Sequence, residues 1–266
     1  MKTILDKIVA NRKEEVLQQK RETPLSGIIT KIDNSIACNL LSHSLLSPGA
    51  SGIIAEFKRK SPSKGVINNL VRPEIVTKGY ARAGASGISV LTDSCYFDGS
   101  IADFIAVRNA NPLTPLLRKD FIFDEYQIFE SRMLKADAIL LIAAILEKRE
   151  ISHFTSIAHE LGMEVILELH DESEIDRIDE EIDIIGINNR NLKDFKLDMD
   201  RSLKLLNLLP DKTIKISESG LGEPETVNSL RYHGFQGFLM GENFMKHENP
   251  AGACLDFISC LKHYKL

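Results

Sequence analysis

Residues 154–190, FTSIAHELGMEVILELHDESEIDRIDEEIDIIGINNR, carry the pattern that decides the fold. Phe154, Ile157, Ala158 and Leu161 recur at helical spacing, and Gly162 stops the run. A short β-like stretch follows from Glu164 to Glu168, and another from Ile184 to Ile187 after a polar interval. Such alternation belongs to βα repeats around a parallel sheet. It extends in both directions from Pro48-Gly49 onward, with further candidate strands at Ile53 to Phe57, Ile88 to Leu91, Leu116 to Arg118, Ala138 to Ile142, Thr213 to Ser217 and Gly237 to Met240. Eight units without a linker predict an α/β fold, a (β/α)8 TIM barrel. The competing architecture, a doubly wound open sheet, would carry a Gly-rich fingerprint after its first strand, where this chain has EFKRKSPSKG and no GxGxxG.

Ahead of the barrel, Ile4, Leu5, Ile8 and Val9 predict an amphipathic helix from Met1 to about Gln19. Residues 21–49, with Leu40, Leu41, Leu45 and Leu46, read as a loop plus a short helix. The expected division is an N-terminal helical extension over 1–48, packed on a barrel over 49–266. The 266 residues suit one α/β barrel, and 43% hydrophobic with 27% charged residues is globular composition. A net charge of −5 argues against general binding to nucleic acid or to an anionic membrane, so an anionic ligand needs a local positive site. Cys38, Cys95, Cys254 and Cys260 form no CxxC, which fits neither a zinc knuckle nor a disulfide framework and suits a reducing cytoplasm. The opening MKTILDKIVANRKEEV is too charged for a signal peptide, and no apolar run approaches the roughly 20 residues of a membrane span.

Catalytic groups of a barrel sit at the C-terminal ends of its strands. There the chain places Glu56, Lys58 and Ser61 after the first strand, Lys119 and Asp120 after the third, and Glu168 after the fifth. Asn188 and Arg190 follow the sixth, Glu218-Ser219-Gly220 the seventh, and Gly241-Glu242 the eighth. Ionisable groups at so many strand ends predict one shared site, because buried charges need partners. Ser219, Gly220 and Gly241 suit a phosphate cradle of backbone N–H groups, with a helix beginning near Pro224 adding its positive end. Lys119, among other cations and apolar rings, is expected to have its pKa lowered from about 10.4 toward acid catalysis. Arg190 offers a planar fork for a carboxylate or phosphate. His170-Asp171 reads as the start of a helix.

In order along the chain, AEFKRKSPSKG (55–65), SVLTDSCYFDGS (89–100), LLRKDFI (116–122), ADAILLIAAIL (136–146), LGMEVILELHDE (161–172), IIGINNRNLKDF (184–195), SESGL (217–221) and FLMGENFM (238–245) resemble the indole-3-glycerol phosphate synthase family. The resemblance implies ring closure, decarboxylation and dehydration of 1-(2-carboxyphenylamino)-1-deoxyribulose 5-phosphate in tryptophan biosynthesis, with no cofactor or metal. It implies Lys119 as the general acid at the ribulose carbonyl and Glu168 as the carboxyl assisting closure. Glu56 and Lys58 would serve dehydration, with Lys58 also near the phosphate. Ser61, Asn188 and Arg190 would surround the anthranilate carboxylate, and Phe97, Phe121, Leu140, Ile142, Leu192 and Leu239 would wall the pocket. Glu218 would line the far side, and Ser219, Gly220, Gly241 and Glu242 would hold phosphate through backbone N–H groups. A monomer acting on a small phosphorylated substrate is expected, with other tryptophan-pathway enzymes as candidate associates. A rival barrel enzyme, phosphoribosylanthranilate isomerase, would call for a Cys and Asp pair at strand mouths, and no strand end here supplies that Cys.

Overall fold

The computed structural model describes residues 3–190 and 197–263, so Leu192 lies outside the described residues. Within them a closed ring of parallel strands forms a (β/α)8 barrel: β1 (Ile53–Phe57), β2 (Gly87–Leu91), β3 (Leu116–Lys119), β4 (Ala138–Ile142), β5 (Glu164–Leu169), β6 (Ile184–Asn188), β7 (Ile214–Glu218) and β8 (Gly237–Met240). Strands β3, β5, β6 and β7 run one residue past their expected ends, β5 to Leu169. Lys119, Asn188 and Glu218 keep ladder partners in Leu91, Glu218 and Leu239, although their polar side chains make those positions read as loop. An unexpected small hairpin pairs Lys60–Ser61 with Gly65–Val66 just beyond β1.

Alternation along each strand sorts the side chains onto two faces. Inward positions such as Ile54, Leu117, Leu140, Ile166, Ile184, Ile216 and Leu239 fill the lumen as one apolar cluster. Their outward neighbours, among them Ile53, Leu116, Ile139, Val165 and Ile185, form the larger core under the surrounding helices. The short helix Leu41–Leu46 closes the bottom of the barrel, contributing Leu41 and Leu45 to the inner cluster. Its amino end is fixed by the Glu164 carboxylate, which accepts from the Leu41 and Ser42 amides.

The leading helix α1 spans Ile4–Glu22, starting and ending about three residues later than its apolar pattern indicated, and begins at a Thr3/Asp6 capping box. Its buried stripe is Ile8, Arg12 and Val16. An arginine in that stripe is stable because Asp120 accepts from Arg12 Nε at 3.0 Å and from Nη2 at 2.7 Å. Asp120 Oδ2 also accepts from Arg118 Nη2 at 3.0 Å and from Thr92 Oγ1 at 2.7 Å, and fully buried Arg118 reaches Glu130 at 2.6 Å. Among the described residues no helix is long and apolar enough to cross a membrane. Replacing Asp120 by Ala removes the buried carboxylate that Arg12 and Arg118 share, leaving them only the carboxylates of Glu15 and Glu130, and is expected to cost about 3–5 kcal/mol in urea unfolding. Arg72→Ala at the exposed Arg72–Glu74 pair is expected to cost about 0–1 kcal/mol, and equal losses in the two variants would contradict this account.

Candidate active site

A cavity of about 520 Å³ opens at the C-terminal ends of the strands. Its floor is built by the inward register of the barrel carried one step past the apolar layers. Lys119 follows Leu117, Glu168 follows Ile166, and Glu218 follows Ile216. Lys119 Nζ donates to Glu168 Oε2 at 2.9 Å and to Glu218 Oε2 at 3.2 Å. Asn188 Nδ2 donates to Glu168 Oε1 at 3.1 Å. On the adjoining wall Lys58 Nζ donates to Glu56 Oε1 at 2.6 Å, and Ser89 Oγ approaches Glu56 Oε2 at 3.4 Å. Two glycines make room for these carboxylates: a Cβ on Gly186 would lie 2.3 Å from Glu218 Oε1, and one on Gly241 would lie 2.7 Å from Glu56 Oε1.

The apolar wall holds Phe97, Phe121, Leu140, Ile142 and Leu239, with the two rings 6.0 Å apart between centroids. Helix α1 adds Ile4, Leu5 and Ile8, a contribution that helical periodicity in the sequence reads only as packing. Ser61, Arg190, Ser219, Gly220, Gly241 and Glu242 all reach the same cavity. Ser219 and Gly220 turn the chain through left-handed backbone at φ 69° and 74°. Glu242 lies 3.6 Å from both Lys64 and Arg190, and these two cations with Lys58 and Lys246 on the lining make this rim the cationic side of the cavity. The helix Pro224–Tyr232 does not reach the cavity, to which the loop before it contributes no residue past Gly222; the turn that does reach it is Glu242–Met245, directly after Gly241.

The electrostatics overturn the expectation of a lowered lysine. Burial opposes the Lys119 charge, but Glu168, Glu218 and Glu56 outweigh it and raise its pKa. The two carboxylates that share this ammonium part company. Burial raises both, yet Lys119 and His170 hold Glu168 well below the usual carboxylate range, while Glu218 is pushed up to about 7 by burial and by the charges of Glu168 and Glu56, against the pull of Lys119. His170 is the residue that sequence reasoning passed over. Asp171 does cap the short 3₁₀ helix Glu172–Arg177, as expected, but the His170 ring turns inward with Nε2 2.8 Å from Glu168 Oε1. Spacing of two along an extended strand would have placed both residues on one face.

A raised carboxyl pKa has a defined stability consequence. Between about 4.5 and about 7 the folded chain keeps a proton on Glu218 that the unfolded chain has given up, so this group's contribution is lost as pH rises through about 7. Glu218→Gln is therefore expected to raise the thermal midpoint at pH 8 and to leave it nearly unchanged at pH 5. An equal shift at both pH values would show that Glu218 is ionised throughout.

A family model described as indole-3-glycerol phosphate synthase matches residues 5–256. The indole-3-glycerol phosphate synthase of Bacteroides thetaiotaomicron is 45% identical over 264 residues, covering 98% of this chain and 100% of that protein. The protein of the same name from Laribacter hongkongensis is 41% identical over 258 residues, covering 95% and 98%. Among solved structures, 3-hexulose-6-phosphate synthase from Salmonella typhimurium superposes with a TM-score of 0.65 at 13% identity, over 80% of this chain and 100% of that one. The tryptophan synthase alpha subunit of Legionella pneumophila gives 0.62 at 12% identity, over 85% and 98%, and both likenesses concern the fold alone. With its barrel and its charged cavity accounted for across nearly the full length, the chain belongs to the indole-3-glycerol phosphate synthase family.

Proposed function

We propose that this chain is a carboxy-lyase of tryptophan biosynthesis, closing 1-(2-carboxyphenylamino)-1-deoxyribulose 5-phosphate to indole-3-glycerol phosphate with loss of carbon dioxide and water. The observation that carries the reading at the level of residues is the Lys119 ammonium lodged between Glu168 and Glu218 at the floor of a half-apolar, cation-rimmed cavity.

The ring carbon that bears the substrate carboxylate attacks the ribulose carbonyl, and Lys119 gives its proton to the developing alkoxide while stabilising it with charge. Glu168 assists this closing step beside Lys119. Decarboxylation asks for no cofactor: the electron pair of the leaving carboxylate flows into the iminium that closure has created. Dehydration divides between Glu56, which takes the ring proton, and Lys58, which protonates the departing hydroxyl; the 2.6 Å contact between them suits that exchange. Two protons enter and one leaves, so each turnover from an ionised substrate carboxylate takes up one proton. Ser61, Asn188 and Arg190 orient that carboxylate, and Phe97, Phe121, Leu140, Ile142 and Leu239 hold the aromatic ring. The amides of Ser219, Gly220, Gly241 and Glu242 receive the phosphate, with Lys58 close by. The Glu242 side chain, drawn toward Lys64 and Arg190, leaves its N–H as the group that serves. The chain acts as a monomer in this reading, and its four free cysteines suit a reducing cytoplasm.

The purified protein, given the ribulose phosphate without added metal or nucleotide, is expected to form indole-3-glycerol phosphate, read by indole fluorescence; no product would overturn the assignment. Lys119→Ala is expected to lower kcat by about 10²–10⁴-fold with KM nearly unchanged, the signature of a group acting in the transition state. Near-normal turnover in that variant would remove Lys119 from its role.

A further inference from the structure

Three side chains crowd the Glu168 carboxylate, and the reaction steps proposed above give roles to two of them. Lys119 takes Oε2 and Asn188 donates to Oε1, while His170 Nε2 stands 2.8 Å from the same Oε1. His170 is not on the cavity lining; it lies behind the carboxylate, its side chain 7% exposed. The other charges facing it are Glu174, whose Oε2 is 3.9 Å from Nδ1, then Glu218, and Lys119 on the far side of Glu168. Glu174 Oε2 already accepts the His170 backbone N–H at 2.7 Å, and Arg201 Nη1 donates to the His170 carbonyl oxygen at 3.3 Å. Neither ring nitrogen has an aligned hydrogen bond among the described residues, so the close approach to Glu168 is the polar contact that the buried ring makes. A side chain wanted there for packing alone would be better apolar, because burying an imidazole is costly without a partner.

Resting on the ring-closure reading above, we propose that His170 is a positioning residue for Glu168: it grips Oε1 from behind the cavity wall, leaves Oε2 turned to Lys119, and by its positive charge keeps the carboxylate ionised. Burial works against that charge, but Glu168 above all, with Glu174 and Glu218, raises the ring's pKa above the ordinary imidazole value. Lys119 and His170 together flank Glu168 with cations, while Glu218, outside the reach of the ring's direct contact, keeps its proton to higher pH.

The test is steady-state kinetics across pH on the full chain, with His170→Leu and His170→Asn beside the wild type. An inactive wild type would refute the assigned reaction; with an active wild type the variants decide the role of His170. His170→Leu is expected to lower kcat about 10- to 100-fold with KM held within about twofold, as for a misplaced catalytic group. His170→Asn restores an N–H for Oε1 without a charge, so it is expected to recover most of kcat at pH 8, while the acid limb of its kcat profile moves up by about one pH unit. Both variants keeping the wild-type rate and limb, or losing activity only in step with their folded fraction while the limb stays put, would overturn the proposal. Should His170→Leu fail to fold, the position of the limb in His170→Asn decides alone.

Discussion

Parallel strands closed into a ring leave every second side chain only the barrel interior to occupy, and this constraint governs both stability and site. Near the bottom the interior is sealed by Leu41 and Leu45, so the inward positions there are apolar: Ile54, Leu117, Ile166, Ile184, Ile216. One step further up the same strands stand Glu56, Lys119, Glu168 and Glu218, and Asn188 continues β6 at the same level. Groups from distant parts of the chain thus meet because the strands share a register and the barrel has one open end.

Gathering charges in a buried layer opposes stability, since the desolvation of each ion is repaid only by well-placed partners. An apolar top layer would suit a barrel that had only to fold. Here the ammonium of Lys119 is shared by two carboxylates whose environments drive their proton affinities apart, Glu168 downward and Glu218 upward. Such divergence separates a base from an acid at one pH without any difference in residue type. The glycines opposite them, Gly186 and Gly241, belong to the same arrangement, because the space their missing side chains leave is the space the carboxylates fill.

The strand that carries Lys119 has a second duty on its outer face. Arg118 and Asp120 alternate with Lys119, and through Asp120 they hold Arg12 of α1. This clamp keeps Ile4, Leu5 and Ile8 over the cavity, so the leading helix is a wall of the site and the anchor of that wall adjoins the proposed acid.

Much of this was legible from local pattern. Short β-like runs with Glu56, Lys119, Glu168, Asn188 and Glu218 at or just past their ends announced the strands and the polar mouth, whereas the Thr3/Asp6 capping box, although a matter of near neighbours, escapes the apolar pattern, which begins the helix at Met1. Even His170 was written in its spacing from Glu168, though its neighbour Asp171 drew the reading toward a helix cap. Arg12 could not be assigned, because its partner stands 108 positions away and nothing in a helical stripe names it. The direction of the Lys119 shift reversed for the same kind of reason: a charge responds to every group around it in space, and Glu168 and Glu218 become its neighbours only when the ring closes. Which face each residue takes follows from the repeat of its own segment; which charges meet, and which of them keeps a proton, depends on distances that exist only in the folded barrel.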